Sequence, residues 1–353
     1  MLDIAVIGCG YWGPNLVRNF SATADGRVSV VCDTDPARLT HMKKLHPGID
    51  VSLDFDEVLG RSDVDAVVIA TPTRLHHAMT LKALRSGRHV LVEKPLARST
   101  KQCEELLEAA DDKGLVLMVG HTFIYSPTVR KIKEIISRGD LGELQYVSSR
   151  RLNLGLFQTD INVAWDLAPH DISIILYILG EVPTAVNCQG KAHVTPGIED
   201  VTNMTLTFAN GAFALIHNSW LDPNKVRQMT FVGKRQMLAY DDIEPFEKIR
   251  IYDKRVEVPP HYDSFAEFHF SYHHGDMYSP CVKQVESLST ECQHFLDCIN
   301  TGAPPESGGP EGLAVVRVLE AASQSLKNGG GRVELPLIHR EIHPRKAALS
   351  FTG

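Results

Sequence analysis

A run of apolar residues that breaks into a glycine triplet constrains this chain more than any other feature. Ile4-Ala5-Val6-Ile7 leads directly into Gly8-Cys9-Gly10-Tyr11-Trp12-Gly13, and a helical pattern follows from Pro14. In this G-x-G-x-x-G order Gly8 permits the tight turn. Gly10 lets the backbone approach a pyrophosphate, and Gly13 lets helix and strand pack closely. The start of the helix offers free N–H groups and a positive dipole end to the same anion. A second apolar segment, 28–32, ends in Asp33, about 20 residues on, where an acidic group accepts hydrogen bonds from a ribose diol. A carboxylate there repels a 2′-phosphate, so NAD is the expected cofactor and NADP is disfavoured. Tyr11 and Trp12, on the same turn, are expected beside it.

The first third of the chain goes on alternating strand and helix signals. Short, nearly all-apolar segments at 4–7, 28–32, 66–70, 89–93 and 115–119 are separated by helical patterns, notably 74–86 and 100–113. That alternation predicts a doubly wound parallel sheet covered on both faces, with ligands bound beyond the carboxyl ends of its strands. The pattern changes after about Gly120. A helix over 127–138, an extended run over 144–153 and a helix ending at Gly180 come first. Strands follow at 201–208 and 212–220 around the turn pair Asn210-Gly211, then at 229–232, 237–240 and 248–252. The expected fold class is thus α/β. Residues 1–120 form an NAD-binding Rossmann domain. Residues 121–353 form a substrate-binding and oligomerisation domain with an open, mostly antiparallel sheet. A final helix at 311–326 is expected to pack back near the first domain, and 302–312 reads as one loop. One sheet face is left without a cover, and a second subunit is the simplest one, as homodimer or homotetramer.

Composition closes off other classes. A formal net charge of −7 argues against a nucleic-acid partner. Seven scattered cysteines without a C-x-x-C pair suit a reducing cytoplasm better than a disulfide framework. No apolar run approaches the ~20 residues of a membrane span, and no signal peptide is expected ahead of the first strand.

Candidate chemistry clusters at strand ends. Thr71-Pro72-Thr73 follows the third of these segments, with Thr73 as a plausible N-cap. His76 and His77 lie on the next turn; His76 is placed at the cofactor edge and His77 on the surface. Glu93-Lys94-Pro95 ends the fourth segment. The proline keeps Lys94 extended and permits a cis bond. A lysine aimed into a closed site can stabilise a developing alkoxide. Trp165-Asp166-Leu167-Ala168-Pro169-His170 opens the second-domain helix, with Pro169 in its first turn. Asp166 and His170 share a face, and a histidine beside a carboxylate can remove a hydroxyl proton near neutral pH. Trp165 is expected against the cofactor. Arg150, Arg151 and Asn153 on the extended run, and His121 and Tyr125 at the domain junction, have two open readings: substrate contacts or ordinary structural side chains. His269, His273, His274 and Asp276 lack metal-ligand spacing and read as a histidine-rich loop, so no metal is expected.

The order G-C-G-Y-W-G, T-P, E-K-P and D-x-x-x-H resembles the glucose–fructose oxidoreductase / inositol dehydrogenase (Gfo/Idh/MocA) family over nearly the whole chain. The resemblance implies an NAD-dependent dehydrogenase acting on a secondary alcohol of a sugar or cyclitol. Lys94 matches the lysine of E-K-P, and Asp166 and His170 match the D-x-x-x-H pair. The sequence departs from many members by carrying Asn162-Val163-Ala164-Trp165 where they have a glycine run. G-Y-W-G-P-N with W-D-L-A-P-H-D looks most like the branch that oxidises position 3 of nucleotide-linked amino sugars. An inositol-type dehydrogenase and a non-catalytic NAD-binding regulator on the same fold are the alternatives.

Overall fold

The structure is a computed structural model and describes residues 1–257 and 271–336. The first sheet has the order β3-β2-β1-β4-β5-β6, and every pairing in it is parallel. Its strands are β1 (Leu2–Ile7), β2 (Gly26–Cys32), β3 (Asp50–Ser52), β4 (Ala66–Ile69), β5 (His89–Glu93) and β6 (Leu117–Gly120). Between them run α1 (Gly13–Ser21), α2 (Pro36–Leu45), α3 (Phe55–Gly60), α4 (Thr73–Arg85) and α5 (Thr100–Asp112). Ile4 to Val6, Val67 to Ile69 and Val90 to Val92 are all buried, because helices cover both faces. The strand order reverses at β1/β4, and the crevice that this opens lies at the carboxyl ends of the strands.

A 3₁₀ turn (Thr122–Tyr125) and α6 (Pro127–Ser137) lead into the second sheet. That sheet has nine strands in the order β14-β13-β12-β11-β7-β10-β9-β8-β15. They are β7 (Leu144–Leu152), β8 (Ala185–Lys191), β9 (Val201–Thr207), β10 (Phe213–Ser219), β11 (Val226–Gly233), β12 (Met237–Asp241), β13 (Ile249–Glu257), β14 (Ser271–Tyr278) and β15 (Val333–Glu334). All its pairings are antiparallel except β10 with β7. α7 (Val163–Leu179) lies across one face. On β10, buried Ala214, Ile216 and Asn218 alternate with outward Phe213, Leu215 and His217, the signature of a sheet with one solvated side.

Two helices tie the halves together. α8 (Ser287–Thr301) packs on α1 and on the 3₁₀ turn, and α9 (Gly309–Lys327) packs on α5, α7 and β8. Burial of Cys292, Phe295 and Leu296 against Leu16, Phe20 and Ile4 makes α8 part of the first sheet's core.

Several local expectations change. Helix α7 begins at Val163, ahead of the Trp165 segment expected to open it, because Asn162 caps it by accepting from Trp165 N at 3.2 Å. Pro169 therefore stands inside the helix, where it cannot donate to the preceding turn. Thr73 is the first residue of α4 and caps nothing; Pro72 holds the N-cap position. The loop after α8 is shorter than predicted, since α9 starts at Gly309. His273, His274 and Asp276 lie on β14, not in a loop, and His269 lies outside the described residues.

Candidate active site

The glycine turn has the geometry its sequence requires. Gly8 has φ +96°, and a Cβ there would lie 2.5 Å from the carbonyl oxygen of Ala70. A Cβ on Gly13 would lie 2.0 Å from the Gly8 carbonyl oxygen, so strand and helix meet too closely for any side chain. Gly10 has only an Arg38 Nη1 within reach, at 3.8 Å, and leaves its backbone open. The first turn of α1 carries no acidic residue. These are the properties of a diphosphate cradle. Tyr11 is 91% exposed beside it.

Asp33 follows the end of β2. Its carboxylate accepts from Cys9 N at 2.7 Å and from Asp35 N at 2.9 Å, which fixes it at the rim of the turn. Arg38 Nη1 stands 3.5 Å from the same carboxylate. That neighbour was not foreseen.

Beyond β5 the Lys94–Pro95 bond is cis. Lys94 Nζ donates to the carbonyl oxygen of Asp166 at 2.9 Å and lies 3.8 Å from its Oδ1. Asp166 Oδ2 accepts from Trp220 Nε1 at 3.0 Å. The carboxylate expected to orient His170 is thus engaged with Lys94 and Trp220, and no hydrogen bond links it to His170. The physical reason is that spacing on a helix shows only which residues share a face, whereas Lys94 after β5 and Trp220 after β10 arrive from elsewhere and engage one carboxylate oxygen each.

His170 lies edge-on to Phe123, with ring centroids 5.0 Å apart. Its Nδ1 is buried without a partner. Burial, then the charges of Lys94 and Arg151, hold its pKa well below the ordinary histidine value, so the ring is neutral at neutral pH. His121, also buried, has no partner on either ring nitrogen, and burial pulls it down to about 3. Glu93 is pushed up to about 7 by burial, against the charge of Lys94. The same carboxyl takes a side-chain hydrogen bond from Trp12 and, through Oε2, one from Lys94 N at 3.3 Å. Buried polar groups without partners are costly and rare in folded proteins. Here His121 and His170 both lie under the charge of Lys94, which is the pattern of a site that a polar ligand completes.

The remaining expected site residues differ in how far protein partners engage them. His76 is buried, with Nδ1 2.8 Å from the Pro95 carbonyl oxygen and Nε2 2.8 Å from that of Thr71. It ties the two strand-end loops together through their backbone carbonyls. His77 pairs with Glu105 at 2.9 Å on the surface, as expected. Trp165 donates from Nε1 to Ser323 Oγ at 2.8 Å and lines an outer cleft of about 950 Å³ with Arg98 and Glu320. That cleft holds none of Lys94, Asp166 or His170, and the Trp165–Ser323 bond joins α7 to α9. Tyr125 is a core residue: its hydroxyl lies 2.8 Å from Ser307 Oγ, and burial raises its pKa. Arg151 is fully buried and held by Asp171 through three hydrogen bonds of 2.8–3.1 Å, which leaves only Nη1 free. Asn153, past the end of β7, has a buried and unpartnered Oδ1. Sequence reasoning missed Phe123, Asp171 and Trp220, whose roles arise only when separate elements meet.

Comparison with known proteins follows the same two halves. Residues 2–121 match the GFO_IDH_MocA oxidoreductase family with its NAD-binding Rossmann fold, and residues 129–239 match the GFO/IDH/MocA C-terminal domain. The chain is 29% identical over 336 residues to the uncharacterized oxidoreductase YrbE of Bacillus subtilis, covering 92% of this chain and 94% of that one. It is 26% identical over 325 residues to the UDP-N-acetylglucosamine 3-dehydrogenase of Acidithiobacillus ferrooxidans, covering 90% and 94%. A solved structure of a UDP-N-acetylglucosamine 3-dehydrogenase from that organism superposes with a TM-score of 0.77 at 24% identity, over 93% of this chain and 98% of that one. Inositol 2-dehydrogenase of Rhizobium meliloti is 25% identical over 332 residues, covering 91% and 96%.

Proposed function

Because the chain belongs to the Gfo/Idh/MocA family of NAD-binding oxidoreductases, we propose that Lys94 and His170 act on the secondary hydroxyl of a sugar, at position 3 of a nucleotide-linked amino sugar. The observation that carries this reading is the pair of buried histidines, His170 and His121, with partnerless ring nitrogens under the charge of the fixed Lys94 ammonium. NAD, when bound, supplies the hydride acceptor. Gly8, Gly10 and Gly13 hold its diphosphate, and Asp33 accepts from the adenosine ribose. Thr71, Pro72, Glu93 and Trp12 would border it from the first domain.

Lys94 donates to the substrate oxygen and stabilises the charge that develops there as the proton leaves. His170 takes that proton, since its depressed pKa keeps it neutral and able to accept. Asp166 is the positioning residue for Lys94 and is itself held by Trp220. His121 and Asn153 offer hydrogen bonds to substrate hydroxyls.

The likeness to the 3-dehydrogenase supports the nucleotide sugar as substrate, and the likeness to inositol 2-dehydrogenase supports a cyclitol as the second reading. Among the described residues no helix is long and apolar enough to cross a membrane. We infer a cytoplasmic enzyme without a nucleic-acid partner. A second copy of the chain covers the outward sheet face carrying Tyr146, Phe213 and Leu215. NAD reduction followed at 340 nm with UDP-N-acetylglucosamine, its uronic acid and myo-inositol tests the function. NADH formation with a nucleotide sugar is expected. Formation with myo-inositol alone selects the cyclitol reading, and cofactor binding without turnover of any polyol selects the regulator.

A further inference from the structure

Where β7 and β11 pair, Arg151 and Arg227 stand directly opposite each other. Opposed residues of an antiparallel pair share a face. Arg151 faces the helix layer, since Asp171 of α7 binds it. Arg227 therefore faces that layer too, in line with Met229 and Phe231, which lie in the core further along β11. The row continues through Asn218, opposite Arg151, and Thr202, opposite Asn218. The apolar core of the second sheet thus ends in a polar row, at the end of the sheet where α7 presents Asp166 and His170.

The carboxylates around Arg227 are already engaged. Asp171 serves Arg151 and also accepts from Asn218 at 3.3 Å. Asp166 serves Lys94 and Trp220. Asp242 accepts from Tyr240 at 3.1 Å and lies 3.5 Å from Lys248 Nζ. Arg227, half-buried, makes no side-chain hydrogen bond or ion pair among the described residues. Its neighbour Arg151 keeps a buried Nη1 with no partner. Two guanidinium groups therefore stand side by side with unspent donors, and the charge of Arg227 acts on both His170 and Asp166.

We propose that Arg227 is the substrate's anion receptor: its guanidinium, with Arg151 Nη1 beside it, takes a carboxylate or phosphate-diester oxyanion borne by the sugar. This rests on the reading that Lys94 and His170 flank the hydroxyl that reacts. A planar fork of N–H donors matches such an oxyanion in two-point fashion, and a neutral hydroxyl ring does not. An unpaired, partly desolvated cation is an expense to the free protein that a ligand anion offsets. Arg227 would thereby set specificity, favouring acidic or nucleotide-linked sugars over neutral cyclitols, without touching the reacting atoms.

The test uses the NADH-loaded protein and three probes: UDP-N-acetylglucosamine, which carries a diphosphate; D-glucuronate, which carries a carboxylate; and neutral myo-inositol. Affinities are measured by calorimetry for the native chain, Arg227→Met and Arg227→Lys, with NADH affinity and thermal midpoint as controls. Arg227→Met is expected to weaken one anionic probe by roughly 10- to 100-fold, the range for losing a charged hydrogen-bond partner. Arg227→Lys should recover part of that loss. Myo-inositol and NADH affinity should stay within about twofold. Loss confined to the UDP-sugar identifies the diphosphate as occupant, and loss confined to glucuronate identifies a carboxylate. Equal loss for all three probes, no loss for either anion, or no anion binding by the native chain overturns the proposal. Arg227-dependent anion binding with no NAD reduction by any sugar upholds it and sinks the oxidation reading. Normal oxidation with anion binding indifferent to Arg227 does the reverse.

Discussion

Asp171→Asn is expected to destabilise the second domain by about 3–5 kcal/mol, the cost of breaking a buried ion pair from one side. The side chains of Arg151 and Asp171 are 3% and 2% exposed, so solvent cannot replace the lost charge. Arg151 Nε lies 3.0 and 3.1 Å from the two carboxylate oxygens, and Nη2 lies 2.8 Å from Oδ1. An amide retains one acceptor and turns an N–H pair toward either the guanidinium or the Asn218 amide, which now donates to Asp171 Oδ2. The variant thus loses a countercharge and gains a donor–donor conflict. At about 2–4 °C per kcal/mol for a body of 150–250 residues, the thermal midpoint should fall by about 6–20 °C. Differential scanning fluorimetry without cofactor reads this. The pair Arg151→Met/Asp171→Leu should be much milder than either single change, because it removes both charges and keeps the volume. A single variant within 2 °C of the native midpoint, or a double variant as damaged as the singles, would refute the reasoning.

Three further outcomes are expected. Gly13→Ala should abolish NAD binding, measured by NADH fluorescence, since its Cβ would lie 2.0 Å from the Gly8 carbonyl oxygen; retained affinity would mean that the turn opens freely. Asp33→Ser should admit NADP without any added arginine, because Arg38 already stands 3.5 Å from that carboxylate; an unchanged NAD:NADP ratio of kcat/KM contradicts this. The acid limb of kcat/KM for oxidation should lie below pH 6.5 and disappear in His170→Ala, because burial and the positive charges of Lys94 and Arg151 depress the histidine's pKa. The sign follows: the neutral, accepting ring persists to lower pH than a free imidazole, and activity falls only as protons finally win. A limb near pH 7 that survives in His170→Ala belongs to Glu93, whose carboxyl is raised to about 7.

How much of this could be read from the chain depends on how local each feature is. The glycine turn, Asp33 and the strand ends carrying Thr71 and Glu93-Lys94 follow from short segments and their spacing, and the Rossmann sheet follows with them. Partner choice did not follow. Spacing placed Asp166 and His170 on one face, but the partners of Asp166 come from 72 and 54 residues away, at Lys94 and Trp220. For Arg151 and Tyr125 the sequence left binding and structural readings open, because nothing local shows that Asp171 takes most of the Arg151 donors and Ser307 the Tyr125 hydroxyl. Arg227 drew no notice for the mirror reason: nothing local shows that the carboxylates near it, Asp171, Asp166 and Asp242, are engaged by other residues. Helix α8 escaped because its buried face is completed by α1, whose residues lie at the other end of the chain.

The central claim is that Lys94 acts on the reacting oxygen. It is tested most directly by comparing Lys94→Met with the native chain under single-turnover conditions at saturating NAD and sugar. The account predicts a fall in the rate of NADH formation of at least 10²-fold, in line with losing one transition-state donor, with NAD affinity changed by less than about threefold. A variant that binds NAD poorly yet turns over at the native rate once loaded would make Lys94 a cofactor clamp and contradict the account.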